Sequence, residues 1–427
     1  MTDLTGDLLP RLSQYRLPGL DLGEGLLYPN YDGYSILNLP DSLCHWLGVP
    51  PLGVGRLADE VLSPLGEGYR RVILILMDAL ALHRLQRWMA QGQAPLWAQL
   101  AQQGLFAPLT SITPSTTSAA LTTLWTGHSP SEHAITGYEM WMKEYGMVVN
   151  TITHAPMSFQ DSAGSLSQAG FTPEGFLPLP TLGAHLFAHG VKTYAFQHHS
   201  LLQSGLSKMF FKQVEPRAFL SAADLFINLR ELLEKSAGER QYIYVYWSGV
   251  DTFSHRYGPD DERPFAEFTA FSRDLQRLLL ERLPAEAKGE TLLALVADHG
   301  QIATRPDPHY DLSNHPGLTR RLHLLPTGEN RLAYLYVRPG QSEAVREYLE
   351  RAWPNQFALV DSVYAAEAGL FGPGERHPRL LERVGDFILA ARGPAYLWWD
   401  GKENRLHGRH GGLDPEEMLV PFLAAPL

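Results

Sequence analysis

A single cysteine, Cys44, stands in a chain of 427 residues. That excludes an intramolecular disulfide and any multi-cysteine metal site. Basic residues are in deficit, 35 against 46 acidic, for a net charge of -11. The deficit argues against a general nucleic-acid binder, whose phosphate contacts need basic patches. A small anionic ligand stays open, because bound cations can supply positive charge locally. No apolar run reaches the roughly 18 residues of a membrane-crossing helix. The opening MTDLTGDLLPRLSQYRLPGL has no basic stretch followed by an apolar one, so no secretory signal is expected. These absences together predict a cytoplasmic protein with no membrane association. Repeats, low-complexity linkers and heptads are lacking too, so the pattern points to no partner chain.

What is present reads as globular: 44% hydrophobic residues with 19% charged. Residues 1–70 form an irregular leader, rich in Leu, Pro and Gly, with a short helix predicted near Ser42–Leu47. Tyr28, Tyr31 and Tyr34 are expected to pin it to the body. From residue 71 the pattern changes. VILILM, YIYVYW and LLALVA are continuous apolar runs, the signature of strands buried on both faces. Helical stretches separate them: Ala81 to Gln103, AADLFINLRELLEKS and FAEFTAFSRDLQRLLLERL. The alternation implies an α/β fold, a mostly parallel central sheet sandwiched by helices. The core is assigned to residues 71–301. Residues 302–400 read as a smaller α+β insertion, with RLAYLYVRPG a strand and SEAVREYLERAW a helix, and 401–427 return to the core.

Each of the three apolar runs is followed by an acid: Asp78, Asp251 and Asp298. In an open α/β sheet ligands lie beyond the carboxyl ends of the strands, so three acids there converge on one crevice. One such acid could simply cap the following helix; three, two of them beside histidines, are harder to explain that way. Asp251 and His255 lie one helical turn apart. Asp298 and His299 are adjacent at a strand-to-loop corner, and His410 lies in RHGG. Carboxylate and imidazole together suit zinc, manganese or iron better than calcium. Six such residues could hold two ions a few Å apart, the arrangement used for phosphoryl displacement. TPSTTSAALTTLWTG adds hydroxyls just before a helix, whose N-terminus favours phosphate. The plain alternative there is an ordinary Ser/Thr cap.

With LMDAL, TPSTTSAALTTLWTGHSPSEHAI, DTFSH, ADHG and RHGG in this order, the chain resembles the alkaline phosphatase superfamily, in its type I phosphodiesterase/nucleotide pyrophosphatase branch. The resemblance runs from about residue 70 to the C-terminus. It implies two divalent metal ions, zinc first, with manganese or iron able to use the same donors. Asp251, His255 and His410 would hold one; Asp78, Asp298 and His299 would hold the other together with the nucleophile. In that superfamily the nucleophile lies ten residues before the Gly of a TG pair, here Thr126–Gly127, which selects Thr117 over Thr116. The implied function is hydrolysis of a small phosphorylated substrate through a phospho-threonine. A phosphomonoesterase or phosphonate hydrolase on the same scaffold is the nearest alternative, and a catalytically silent metal-binding protein a more distant one. Relatives carry an asparagine after the HAI-like segment that contacts a phosphoryl oxygen; here Tyr138 takes that place, a departure bearing on the nucleotide substrate rather than on the metals. Glu139, Trp141 and Lys143 are further candidate contacts, against the plainer reading of a buried aromatic and two surface charges. His315, and behind it His309, are candidate contacts or ligands after ADHG. His45, His83, His185 and His323 read as structural.

Overall fold

Arg71–Met77 is buried along its whole length, and it forms the centre of a sheet. The computed structural model describes residues 2–158, 163–236 and 238–427. The sheet has eight strands, in the spatial order Thr2–Asp3, Leu105–Thr110, Leu419–Pro426, Thr291–Val296, Arg71–Met77, Gln241–Trp247, Lys192–His198 and Val214–Phe219. All neighbours run parallel except Leu419–Pro426, which is antiparallel to both of its partners. The three apolar runs singled out in the sequence are adjacent. Val296 pairs with Leu76, and Leu76 with Tyr246. Their carboxyl ends therefore open side by side. Burying each Val, Leu or Ile of such a strand contributes roughly 1.5–3 kcal/mol, which is why these runs tolerate no polar residue until the strand ends. Helices flank the sheet, among them Pro95–Gln103, Thr117–Thr126 and Ala222–Lys235. Among the described residues no helix is long and apolar enough to cross a membrane.

A second sheet of seven strands covers one end. Its order is Phe357–Asp361, Phe387–Ala391, Leu332–Leu335, Thr327–Glu329, Glu139–Met142, Met147–Asn150 and Ala155–Pro156, antiparallel throughout. Side chains alternate across it. Leu332 and Tyr334 pack with Leu17, Leu22 and Leu27 of the leader, while Ala333 and Leu335 pack with Val345 and Trp353 on the other face. Tyr31 ties the leader down by donating to the Leu370 carbonyl at 2.9 Å.

Local structure differs from the sequence expectation in several places; the leader, read as irregular apart from a helix near Ser42–Leu47, also contains the helix Thr5–Gln14. The stretch Ala81 to Gln103 is two helices, Leu82–Ala90 and Pro95–Gln103, because Gly92 turns with φ 70 and Pro95 starts afresh. RLAYLYVRPG is a strand of the sheet only over Leu332–Leu335; beyond it the Val337 N–H turns to the Asp386 carboxylate at 2.6 Å and Val337 makes an isolated bridge with Leu322. The long helix expected to begin at Phe265 starts at Glu262, capped by Asp261, and widens into a π turn at Leu275–Leu279.

Candidate active site

Asp78 follows the central strand directly, and Asp298 stands two residues beyond its neighbour. Ala79 adopts φ 60, a left-handed conformation costly for a residue with a Cβ. The turn aims the Ala79 N–H at Asp298 Oδ1, 3.3 Å away, and the His299 N–H reaches the same oxygen at 3.0 Å. Tyr246, from the strand on the other side, donates to Asp78 Oδ2. Each carboxylate thus has one committed oxygen. The other two, Asp78 Oδ1 and Asp298 Oδ2, are buried without a hydrogen-bond partner. His299 Nε2 lies 3.5 and 3.4 Å from them.

The second group is less buried. Helix Gly249–Tyr257 carries Asp251 in its first turn and His255 one turn on, with Oδ1 and Nε2 3.2 Å apart. His410 arrives by a short ladder: Gly408–Arg409 pairs antiparallel with Ile302–Ala303, just after ADHG. His410 Nε2 is 3.9 Å from Asp251 Oδ1 and 3.2 Å from His255 Nε2. The two groups meet where the rings of His299 and His410 stack, 3.7 Å between centroids.

All three imidazoles engage Nδ1 with a backbone carbonyl: His255 with Gly408 at 2.9 Å, His299 with Gly300 at 2.9 Å, and His410 with Ser115 at 3.2 Å. A carbonyl accepts only, so Nδ1 carries a proton and Nε2 is the nitrogen left to face an ion. Two sets of converging lone pairs result, Asp251–His255–His410 and Asp78–Asp298–His299. The first set has one donor nearby, Gln301 Nε2, 3.1 Å from Asp251 Oδ1. Burial, with Asp298 and Asp251 close by, drives the Asp78 carboxyl well above its ordinary range, and burial likewise raises Asp298. Burial beside His299 and His255 holds His410 well below the usual imidazole value. Orphaned buried carboxylate oxygens facing imidazole nitrogens are what a divalent cation satisfies. The residues fit one ion in each set.

Thr117 is the first residue of the helix Thr117–Thr126, after Thr116 as N-cap. Its Oγ1 lies 3.1 Å from His299 Nε2. Both Thr117 and the more open triad line a cleft of about 770 Å³. Tyr138, Glu139, Glu329, Trp398, Trp399 and Lys402 also line this cleft. Burial pushes Glu329 up to about 8 and Glu139 to about 7. Glu329 accepts the Tyr138 N–H at 2.6 Å, and Glu139 accepts from the Trp399 indole at 2.9 Å.

The other sequence candidates separate. Tyr138 and Glu139 reach the cleft. Trp141 packs against the small sheet's core, and Lys143 pairs with Glu382 at 3.2 Å. His315 is not brought to the cleft: Nδ1 meets the Tyr348 hydroxyl and Nε2 the His309 carbonyl, both at 2.9 Å. Both nitrogens are spent within the insertion. Tyr246, Gln301 and Glu329 were not singled out by sequence. Only Gln301, two residues after His299, carried a positional hint.

Residues 72–413 match the family described as type I phosphodiesterase / nucleotide pyrophosphatase. None of the curated proteins compared matches the chain. Murine ectonucleotide pyrophosphatase / phosphodiesterase 5 is similar in structure, with 16% identity, a TM-score of 0.61, and coverage of 83% of this chain and 87% of that one. An inactive threonine-to-alanine variant of that protein in complex with AMP aligns with a TM-score of 0.60 at 16% identity, over 83% of this chain and 87% of that one. Phosphonoacetate hydrolase from Sinorhizobium meliloti 1021, in complex with phosphonoformate, gives a TM-score of 0.60 at 18% identity, over 84% of this chain and 90% of that one.

Proposed function

The chain belongs to the type I phosphodiesterase / nucleotide pyrophosphatase family, and from that premise we propose that it hydrolyses phosphate diesters, with Thr117 as nucleophile at a two-metal centre. One observation carries the reading furthest: the Thr117 hydroxyl lies at a helix N-terminus and within 3.1 Å of His299, where the two lone-pair clusters meet. Asp251, His255 and His410 would hold one divalent ion, and Asp78, Asp298 and His299 the other. When bound, such ions act as Lewis acids on phosphoryl oxygens and ease deprotonation of a hydroxyl or water. Thr117 Oγ1 attacks phosphorus in line; the Oγ1–P bond forms as the bond to the leaving alcohol breaks. The helix N-terminus faces the non-bridging oxygens with its free N–H groups. Water then cleaves the phospho-threonine and restores the hydroxyl.

A diester carries a second ester substituent, and the cleft has room and aromatic wall for it in Tyr138, Trp398 and Trp399. Nucleotides are the first natural diesters and pyrophosphates to assay, because the murine neighbour was solved with AMP. A phosphonate is the second reading, supported by the neighbour solved with phosphonoformate. With added Zn²⁺ or Mn²⁺, bis-p-nitrophenyl phosphate should exceed p-nitrophenyl phosphate in kcat/KM by about tenfold or more, the scale of one lost pocket contact. A preference for the monoester would reject the diester assignment, and turnover of phosphonoacetate alone would transfer it to C–P hydrolysis.

Tyr246 takes Asp78 Oδ2 and so leaves Oδ1 as the free donor. Partners of this kind are worth about 10–100-fold in metal affinity or activity. Tyr246→Phe should therefore weaken metal binding on that scale in chelator competition. Unchanged affinity would reduce Tyr246 to packing.

A further inference from the structure

The cleft aside, one buried charged group touches both loops that carry histidines. Glu417 is fully buried, in the tail helix Pro415–Met418. Its Oε2 pairs with Arg331 at 2.7 Å, and neither side chain is exposed. Its Oε1 accepts the Gly412 N–H at 2.9 Å, two residues after His410. Its main-chain oxygen accepts the Gly300 N–H at 2.7 Å, one residue after His299. Arg331 is held in turn by the carbonyl of Gly393 at 2.6 Å and that of Ala395. These carbonyls lie in the chain just past the small sheet's Phe387–Ala391 strand. Gly412 also accepts from Ser115 Oγ at 2.7 Å, in the loop before Thr117. A Cβ at Gly412 would lie 2.9 Å from Glu417 Oε2 and 3.1 Å from Oε1. The carboxylate reaches the loop only because no side chain stands there.

A buried ion pair gains little net stability, because desolvation offsets the attraction. What this one does is fix geometry. We propose that Glu417, locked by Arg331, is a positioning residue that fixes the His410 loop from the small sheet and so sets the affinity of the Asp251–His255–His410 site. The inference rests on the two-metal reading above. Its reach is asymmetric: the carboxylate holds the His410 side, whereas the Gly300 contact uses the backbone and survives a side-chain change.

The asymmetry defines the test, which reads Zn²⁺ affinity by chelator competition and bound metal by elemental analysis. With Asp78→Ala to remove the buried site, adding Glu417→Gln should weaken the remaining equivalent at least about tenfold. With Asp251→Ala to remove the other site, the same change should leave affinity within about twofold. Gly412→Ala, which displaces the carboxylate without altering charge, should repeat the pattern should Glu417→Gln fail to fold. Glu144→Gln is the control for simple destabilisation. It breaks another pair in the smaller unit, 3.2 Å from the buried Arg383, and should lower Tm with neither affinity changed. Equal weakening in both backgrounds, or wild-type affinity in both Glu417→Gln and Gly412→Ala, overturns the proposal. A wild-type protein that takes up fewer than two equivalents overturns the two-metal reading itself, and this inference with it.

Discussion

Thr117→Ala should lose turnover by at least about 10³-fold, the scale seen when a nucleophile is removed, with two metal equivalents still bound. The argument is geometric. Thr116 and Thr117 are neighbours with the same chemistry, but only Thr117 Oγ1 faces His299, at 3.1 Å. Thr116 is the N-cap of the helix, and its hydroxyl interacts with Glu329. Thr116→Ala should therefore cost about tenfold at most, the loss of one hydrogen bond. Thr117→Ser keeps a hydroxyl at the same place and should retain measurable activity. Rapid acid quench of wild-type protein during turnover of a diester should trap, on the peptide carrying Thr117, one phosphoryl group with its remaining ester substituent. A Thr117→Ala enzyme with normal turnover, or phosphate on Thr116 instead, would end the assignment.

The sequence already showed the part of this centre that depends on short-range pattern. VILILM, YIYVYW and LLALVA are buried on both faces, so their aliphatic runs are continuous and the acids that end them stand out. DTFSH needed only the helical period. The groups that orient the candidate ligands were not legible, because each is set by register between distant segments. Tyr246 reaches Asp78 only because Leu76 pairs with Tyr246 in the sheet. Glu329 reaches Tyr138 because Gly328 pairs with Glu139, a contact between strands too short to show a period. The small sheet was half visible for the same reason. Its strands Thr327–Glu329 and Leu332–Leu335 lie in the stretch read as an insertion, but Glu139–Met142 joins them from far earlier in the chain. His315 shows the converse: closeness to ADHG in sequence does not bring it to the cleft, because Tyr348 and the His309 carbonyl hold both its nitrogens.

Removing the metal should abolish turnover and should also change how stability depends on pH. Without cations, burial raises the folded-state value of Asp78 well above the ordinary 3.8 and raises that of Asp298 too. Between the ordinary and the raised values the unfolded chain has lost the protons of these carboxyls, so it binds fewer than the folded one. Their contribution to stability is therefore greatest below about pH 4 and is lost as pH rises through the folded values. His410 works oppositely. Its folded value lies well below the ordinary 6.5, so the unfolded chain binds the extra proton, and stability from this group rises with pH until about 6.5. The two effects therefore run in opposite directions as pH rises, with His410 gaining and the raised carboxylates losing. A bound cation replaces the protons on Asp78 and Asp298, and the exchange becomes easier as proton activity falls. Zn²⁺ at about 1,000 times its Kd should add about 4 kcal/mol to stability. The rise in Tm on adding Zn²⁺ to chelator-treated protein should be larger at pH 8 than at pH 5, with activity restored in parallel. A rise independent of pH would show that the metal does not displace protons from these carboxylates, and no rise at either pH would remove the metal from the buried cluster.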